Sequence, residues 1–349
     1  MTTPALNTSA LNTPAPTAPA LRVVVADASI RPQRERLEEQ LPEGTVVVWP
    51  EPRDRAAVEA AVADADVLVS GVCPAPTGTA GKRLRLVHAA GAGTDGIDTA
   101  ALPPGTVVAN THHHEESIAE YAVATAVLLH RGFLAQDAAL RRGHWDTPAY
   151  DPAAAWRDSL AGSTVGFVGF GHIGRTAWQR FAAFGTRGIA VTGSGSTDAA
   201  AEGLAWAGRT DTHLPTLLEE ADTVVVSAPH TPATTGLVGA AELARMKPTA
   251  VLVNVGRGPV VDQDALYDAL RDRTIGAAAI DVWYRYPADG HEGAPAAHPF
   301  HELDNVLMTP HSSALTRQTF QRRADDIAAN IRRLAAGQEL ERVVTVTPA

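Results

Sequence analysis

The segment from Ser163 to Gly174, STVGFVGFGHIG, constrains the fold more than any other part of the chain. An apolar run rich in β-forming residues leads directly into G-x-G-x-x-G, and an amphipathic segment follows. In this strand–turn–helix order, Gly169 permits the tight turn, Gly171 admits a pyrophosphate, and Gly174 allows the helix to pack on the strand. The other interpretation, a glycine turn without a ligand, does not explain the flanking pattern. The segment therefore predicts a dinucleotide-binding unit.

Short apolar runs alternate with amphipathic segments along most of the 349 residues, which favours parallel sheets flanked by helices. We predict an α/β protein with two Rossmann-like lobes and the active-site cleft between them, since such sheets bind ligands beyond their strand ends. A disordered tail is expected over 1–20. A substrate (catalytic) domain is expected over 21–112 and 314–349, and a dinucleotide-binding Rossmann domain over 113–313. The strands predicted for the second domain are Thr164–Val168, Gly188–Thr192, Thr223–Ser227, Ala250–Val255, Ala277–Val282 and Asn305–Thr309.

Composition excludes several classes of function. The net charge is −10, and Lys82 and Lys247 are the only lysines, so no basic stripe is present for nucleic acid or a membrane surface. No run reaches the about eighteen apolar residues that span a bilayer. The single cysteine, Cys73, is compatible with a reducing compartment. We expect a cytoplasmic protein with no nucleic-acid or membrane partner.

The second strand of the dinucleotide-binding unit ends without the acidic residue that usually binds the adenosine ribose. The strand leads into Thr192-Gly193-Ser194-Gly195-Ser196, where hydroxyl groups replace a carboxylate. A 2′-phosphate is then no longer repelled, although no arginine lies in the loop to pair with it. The cofactor is therefore NAD or NADP, with a slight preference for NADP. The alternative is a flexible turn, with NAD held through its pyrophosphate alone.

Seven blocks in a fixed order resemble the D-isomer-specific 2-hydroxyacid dehydrogenase family, which includes phosphoglycerate, glycerate and formate dehydrogenases. The resemblance extends from about Leu21 to the C-terminus. Because several blocks recur in the family's order, the match is far more specific than the glycine pattern alone. The blocks are Gly91–Asp98, Ser117–Glu120, the glycine pattern, Pro229–Thr231, Asn254–Asp262, Ala279–Trp283 and Thr309–His311.

The resemblance implies that Arg257 binds the substrate carboxylate and polarises the carbonyl group. A guanidinium suits this role because its fork of N–H donors matches a carboxylate and stays charged. His311 matches the general acid/base, and the backbone amides of Ala92 and Gly93 correspond to groups that hold the carboxylate. An imidazole can donate or accept a proton near neutrality.

The resemblance also implies a cofactor site. In it, Asp281 binds the nicotinamide carboxamide, and Pro229 and Thr231 lie near the nicotinamide ribose. The full predicted set is Gly169, Phe170, Gly171, His172, Ile173, Gly174, Thr192, Ser194, Pro229, Thr231, Val255, Gly256 and Asp281.

Two positions depart from the family pattern. Tyr286 occupies the place of the glutamate that usually pairs with the catalytic histidine, so we expect a catalytic role for Tyr286 and a lower pKa for His311 than in glutamate-bearing relatives. His114 falls where relatives often carry a small polar residue. We predict that His113 and His114 line the substrate pocket rather than bind a metal, because neighbouring side chains of an extended segment point apart. Extra imidazoles beside Arg257 suit a polar or doubly anionic acid, including one that carries phosphate or phosphonate.

Taken together, these features predict an NAD(P)-dependent oxidoreductase of small D-2-hydroxy or 2-keto acids. One alternative is a dinucleotide-sensing, corepressor-like interaction protein, since the family includes one. Another is a dehydrogenase of an unusual acid such as formate, phosphite or a hydroxyphosphonate. The apolar segment Ser117–Leu129 and its follower resemble the family's dimerisation arm, which implies a homodimer.

Overall fold

The computed structural model describes residues 20–287 and 291–348, which form two compact units. The first unit contains the described residues up to His113 together with those from Arg317 onwards, and the second is His114–Thr316. The predicted tail over 1–20, apart from Ala20, lies outside the described residues.

The strands, in chain order, are β1 Arg22–Val25, β2 Val46–Val48, β3 Val67–Val69, β4 Val72–Cys73, β5 Leu86–His88, β6 Gly96–Ile97, β7 Val107–Ala109, β8 Thr164–Val168, β9 Arg187–Thr192, β10 Trp206–Arg209, β11 Thr223–Val226, β12 Val251–Asn254, β13 Ala277–Ile280, β14 Val306–Met308 and β15 Val343–Val346. The α-helices are α1 Arg34–Glu38, α2 Arg55–Val62, α3 Ala75–Ala80, α4 Glu115–His130, α5 Phe133–Leu140, α6 His172–Ala182, α7 Thr210–Glu220, α8 Ala240–Leu243, α9 Gln263–Arg271 and α10 Arg317–Ala335.

The first unit is built on a six-stranded sheet in the order β15-β7-β5-β3-β1-β2. Its strands are parallel except for β15, which runs antiparallel to β7 at the edge. Without β15, the order is that of flavodoxin-like sheets. One face of the sheet packs against α1 and α10, and the other against α2. A two-stranded sheet, β4 with β6, completes the unit.

The second unit has a seven-stranded parallel sheet in the order β10-β9-β8-β11-β12-β13-β14. This is the 3-2-1-4-5-6 order of dinucleotide-binding sheets with one more strand. Helices α7 and α9 cover one face, and α4 and α6 cover the other, where Phe167 and Phe181 are completely buried. The predicted α/β fold class is therefore confirmed.

Two strands of more than two residues were not predicted. β10, with the sequence WAGR, has no β-branched residue, and it forms because it pairs with β9 along its whole length. β15 is VVTV, a β-rich segment, but it follows the last helix and is exposed along its length. Strands were predicted where a short apolar run is followed by an amphipathic segment, and neither β10 nor β15 fits that pattern.

Among the residues that the structure describes, no single helix is long and apolar enough to cross a membrane. The pair α4 and α5, bent by 59° at their junction, meets that test of length and composition only when the two helices are taken together.

Candidate active site

The glycine turn lies between β8 and α6, beside the turn that follows β11. Gly169 has a φ of +90°, and a Cβ atom on it would lie 2.7 Å from the backbone nitrogen of Ala228. On Gly174, a Cβ atom would lie 2.9 Å from the carbonyl oxygen of Gly169. A Cβ on Gly171 would meet nothing within 4 Å. The first and last glycines are thus required by close packing, and the middle one faces open space that a phosphate group can occupy.

A cavity of about 710 Å³ opens at this turn, at the carboxyl ends of β8, β9 and β11. It forms there because parallel strands bring their carboxyl ends to one edge of the sheet. The lining includes seven of the predicted cofactor residues: Gly169, Phe170, Gly171, Thr192, Ser194, Pro229 and Thr231. The other six, which are His172, Ile173, Gly174, Val255, Gly256 and Asp281, are not part of the lining. Residues that the sequence did not indicate also line it, among them Arg175, Asp211 and Thr234.

Arg257 follows β12 and is held between two neighbouring loops. A Cβ on Gly256 would lie 2.8 Å from the carbonyl oxygen of Ala228, and one on Gly258 would lie 2.5 Å from that of Trp283. The Arg257 side chain is partly buried, and its Nη1 donates to the carbonyl oxygen of Gly256 at 2.9 Å. The glycines on either side therefore place the backbone of Arg257 against the loop after β11, whose Ala228 lines the cavity.

His311 lies in the loop after β14 with a φ of +55°, a left-handed conformation that is rare outside glycine. Its Nδ1 is 3.0 Å from the hydroxyl oxygen of Tyr286. The backbone N–H of Trp283 donates to that same hydroxyl oxygen at 3.2 Å. Tyr286 thus occupies the position beside the imidazole that the sequence comparison indicated, and it brings a neutral partner rather than a carboxylate.

Asp281 holds the loop that carries His311. Its buried carboxylate accepts hydrogen bonds from the hydroxyl of Thr309 at 2.6 Å and the backbone N–H of Ser312 at 2.8 Å. It also accepts from the backbone N–H and the hydroxyl of Ser313, at 3.1 Å and 2.5 Å. Each of the two carboxylate oxygens of Asp281 thus accepts two hydrogen bonds from this loop. The contact between Asp281 and the nicotinamide carboxamide stays a prediction.

Burial lowers the pKa of the His311 imidazole. The negative charge of Asp281 opposes this shift, and the positive charge of Arg257 adds to it. That the pKa of His311 is lower than in glutamate-bearing relatives, because a phenol stabilises the imidazolium less than a carboxylate does, stays a prediction.

Within the first unit, the predicted carboxylate-binding loop follows β5. The carbonyl oxygen of Ala92 accepts a hydrogen bond from Asn110 Nδ2 at 2.9 Å. The imidazole of His113, which has a φ of +66°, lies with its Nε2 2.8 Å from Asp326. The hydroxyl of Thr111 donates to the same carboxylate oxygen at 2.6 Å. One nitrogen of His113 is thus used inside this unit, and its role towards substrate stays a prediction, as do those of Ala92 and Gly93.

His114 begins the second unit and precedes α4, with its Nδ1 4.0 Å from a carboxylate oxygen of Glu115. In the part of the chain that the structure describes, no group of three His, Cys, Asp or Glu side chains is placed to hold a metal ion.

The strand order and the glycine-lined cavity define an α/β protein with a dinucleotide-binding domain. Residues 123–313 match the family model described as D-isomer specific 2-hydroxyacid dehydrogenase, NAD binding domain. The chain is 34% identical over 305 residues to D-3-phosphoglycerate dehydrogenase of Mycobacterium tuberculosis, covering 86% of this chain and 55% of that one. It is 34% identical over 275 residues to glyoxylate reductase of Korarchaeum cryptofilum, covering 77% and 80%.

A solved structure of NADPH-dependent glyoxylate/hydroxypyruvate reductase from Sinorhizobium meliloti, in complex with NADP and malonate, is also similar. It is 31% identical, with a TM-score of 0.75, and the match covers 94% of this chain and 98% of that chain. The chain belongs to the D-isomer-specific 2-hydroxyacid dehydrogenase family, and its second unit carries the family's NAD(P)-binding domain. It spans about half the length of the curated phosphoglycerate dehydrogenases, 55%.

Proposed function

We propose that the protein is an NAD(P)-dependent oxidoreductase that interconverts a small D-2-hydroxy acid and the corresponding 2-keto acid. One continuous set of contacts in the second unit supports this function most strongly. Ala228 of the dinucleotide cavity packs on Gly256, Gly258 packs on Trp283, and Trp283 donates to Tyr286, which contacts His311. The backbone that carries Arg257 and the imidazole of His311 are thereby connected to the loop that lines the cavity.

In the reductive direction, the Arg257 guanidinium binds the substrate carboxylate and draws electron density from the neighbouring carbonyl group. His311, protonated, donates its proton to the carbonyl oxygen as that oxygen becomes a hydroxyl group. In the oxidative direction, neutral His311 removes the hydroxyl proton. The reduced nicotinamide supplies the hydride when it is bound, and the residues lining the cavity hold the rest of that cofactor.

We propose that the substrate is polar and that it includes acids with a phosphate or phosphonate group. The histidines at 113 and 114 and the charge of Arg257 support this choice, because each suits an anionic group. One relative is named for phosphoglycerate, which carries a phosphate group in addition to its carboxylate. Another is named for glyoxylate, which carries the carboxylate alone. Ala92 and Gly93 are proposed to hold the carboxylate through their backbone amides.

The test follows nicotinamide absorbance with NADH and NADPH across a panel of 2-keto acids. The panel consists of hydroxypyruvate, glyoxylate, 3-phosphohydroxypyruvate, phosphonopyruvate and simple alkyl keto acids. We expect reduction of at least one polar acid, with the D configuration in any product that has a stereocentre. Turnover of none of them, despite nucleotide binding, would favour the corepressor-like alternative. Oxidation of formate, phosphite or a hydroxyphosphonate, identified by its product, would favour the third possibility.

Replacing Tyr286 by glutamate should raise the pKa of His311, because a carboxylate beside the imidazole stabilises its charged form. Reduction requires protonated His311, so wild-type reduction should fall as pH rises through the lowered pKa of that residue. In Tyr286→Glu, the falling limb of the kcat/KM profile should move up by about one to two pH units. Tyr286→Phe is the control, since it removes the hydroxyl without adding charge. Identical profiles for Tyr286→Glu and Tyr286→Phe would contradict the proposed coupling.

A homodimer is proposed to form through α5 and the segment that follows it. Helix α4 is largely buried within its own unit, whereas Leu140, Trp145 and Trp156 are 51%, 57% and 88% exposed. Large apolar side chains that are exposed this close together in the chain are typical of an interface. Light scattering should give twice the chain mass for the wild type and the single mass for Leu140→Glu. Phe184→Glu is the control and should stay dimeric, because Phe184 is an exposed apolar residue elsewhere in the unit. Loss of the dimer in both variants, or in neither, would argue against an interface formed by α5 and the segment after it.

The location in the cytoplasm also stays a proposal. It is supported by Cys73, a buried free thiol whose pKa burial raises to about 11, so it suits a reducing compartment and carries no nucleophilic role.

A further inference from the structure

The adenosine end of the dinucleotide cavity has no acidic residue at the tip of β9, where Thr192 leads into Ser194. The neighbouring strand compensates for this. β10 runs parallel to β9, with Arg209 in register with Thr192, so both strands end at the same level. Asp211 follows two residues later, in the first turn of α7, and lines the same cavity as Thr192 and Ser194. A carboxylate therefore reaches this end of the cavity from a different strand.

Asp211 and Arg209 form a two-point ion pair. Nε of Arg209 lies 3.1 Å from Oδ1 of Asp211, and Nη2 lies 2.7 Å from Oδ2. The stem of Arg209 packs on the loop after β9, since a Cβ atom on Gly195 would overlap its Cγ. The pair is consequently attached to the loop that carries Ser194, rather than being directed away from it. Hydrogen bonding from Arg209 lowers the pKa of Asp211, which keeps this carboxylate ionised at neutral pH.

We propose that Asp211 takes the place of the missing ribose-binding acid and selects NAD(H) over NADP(H). This inference rests on the proposed nicotinamide-dependent function. An ionised carboxylate accepts a hydrogen bond from the ribose 2′-hydroxyl and repels a 2′-phosphate. The guanidinium of Arg209 already directs its Nε and Nη2 at Asp211, so its charge is shared with that carboxylate and does not fully offset the repulsion. The slight preference for NADP considered from the sequence took account of the β9 loop alone.

The experiment measures the dissociation constants of NADH and NADPH by nicotinamide fluorescence, without a substrate. The chains compared are the wild type, Asp211→Asn, Arg209→Gln and Asp272→Asn. Asp272 is the matched control, because it forms the same two-point pair with the preceding arginine, Arg271, on an exposed surface outside the cavity lining.

We expect the wild type to bind NADH more tightly than NADPH by about tenfold or more. Asp211→Asn should cut that ratio by about tenfold or more, mainly by tightening NADPH, because repulsion is lost and Arg209 is released. Arg209→Gln should keep the preference for NADH, and Asp272→Asn should match the wild type.

A wild type that prefers NADPH, with that preference lost in Arg209→Gln, would overturn the proposal and assign the phosphate to Arg209. An unchanged ratio in Asp211→Asn would also overturn it. If the dissociation constants of NADH and NADPH and their ratio are as expected but no keto acid is reduced, this inference is supported and the proposed function is rejected. Binding of neither nucleotide would overturn both.

Discussion

Replacing Arg257 by glutamine should lower kcat/KM for the best 2-keto acid by roughly 10³-fold. In the proposed mechanism, the guanidinium supplies a fixed charge and two parallel donors to the substrate carboxylate, and it also polarises the carbonyl group that is reduced. Glutamine keeps the length of the side chain approximately but supplies neither the charge nor the fork. Arg257→Lys should retain an intermediate activity, since it keeps the charge and loses the fork.

The measurement is steady-state kinetics at saturating NADH, with the dissociation constant of NADH determined separately. Arg245→Gln is the matched control, because Arg245 forms a surface ion pair with Glu219, at 2.7 Å, outside the cavity lining. NADH binding should be unchanged in Arg257→Gln. A loss of less than about tenfold would show that this guanidinium is not the group that binds the carboxylate.

Replacing His311 by asparagine should lower kcat by a factor of about 10² to 10⁴ in both directions, because the proton then has no positioned donor or acceptor. Asparagine is the suitable replacement, since His311 has a φ of +55° and asparagine tolerates this conformation better than most residues. The loop should remain in place, because its backbone is held through Asp281 rather than through the imidazole.

Three readouts separate loss of the proton donor from loss of structure in His311→Asn. NADH binding and the melting temperature should be close to those of the wild type, and the falling limb of the pH profile for reduction should disappear from the residual activity. His298→Asn serves as the control, since His298 is paired with Asp264 on an exposed surface. A pH profile that keeps the same limb in His311→Asn would mean that another group delivers the proton.

Several parts of the site were predictable because they depend on local chemistry. The glycines at 169 and 174 are required by the turn itself, and the alternation of strand and helix predicts a parallel sheet whose loops meet at one edge. For this reason Gly169, Thr192 and Pro229, which are far apart in the chain, line one cavity. The place of Tyr286 beside His311 was also indicated, through the spacing that it shares with the glutamate of relatives.

Other features depend on which strands become neighbours, and no local pattern reports that. WAGR becomes strand β10 only because β9 offers it an unpaired edge, and this pairing alone brings Asp211 to the adenosine end of the cavity. The carboxylate of Asp281 accepts four hydrogen bonds from residues at and after the end of β14. It can do so because β13, which precedes Asp281, pairs with β14, so the two strands end side by side.

The sequence by itself determined the sheet type, the phosphate-binding turn and the two residues proposed for chemistry, because each is encoded by residue types within a short stretch of chain. Only the tertiary structure decided which groups lie next to one another: the phenol against His311, the loop around Asp281, and Asp211 of α7 in the cavity lining. These arrangements bring together chain segments that follow separate strands, so they exist only once the strand order has been chosen.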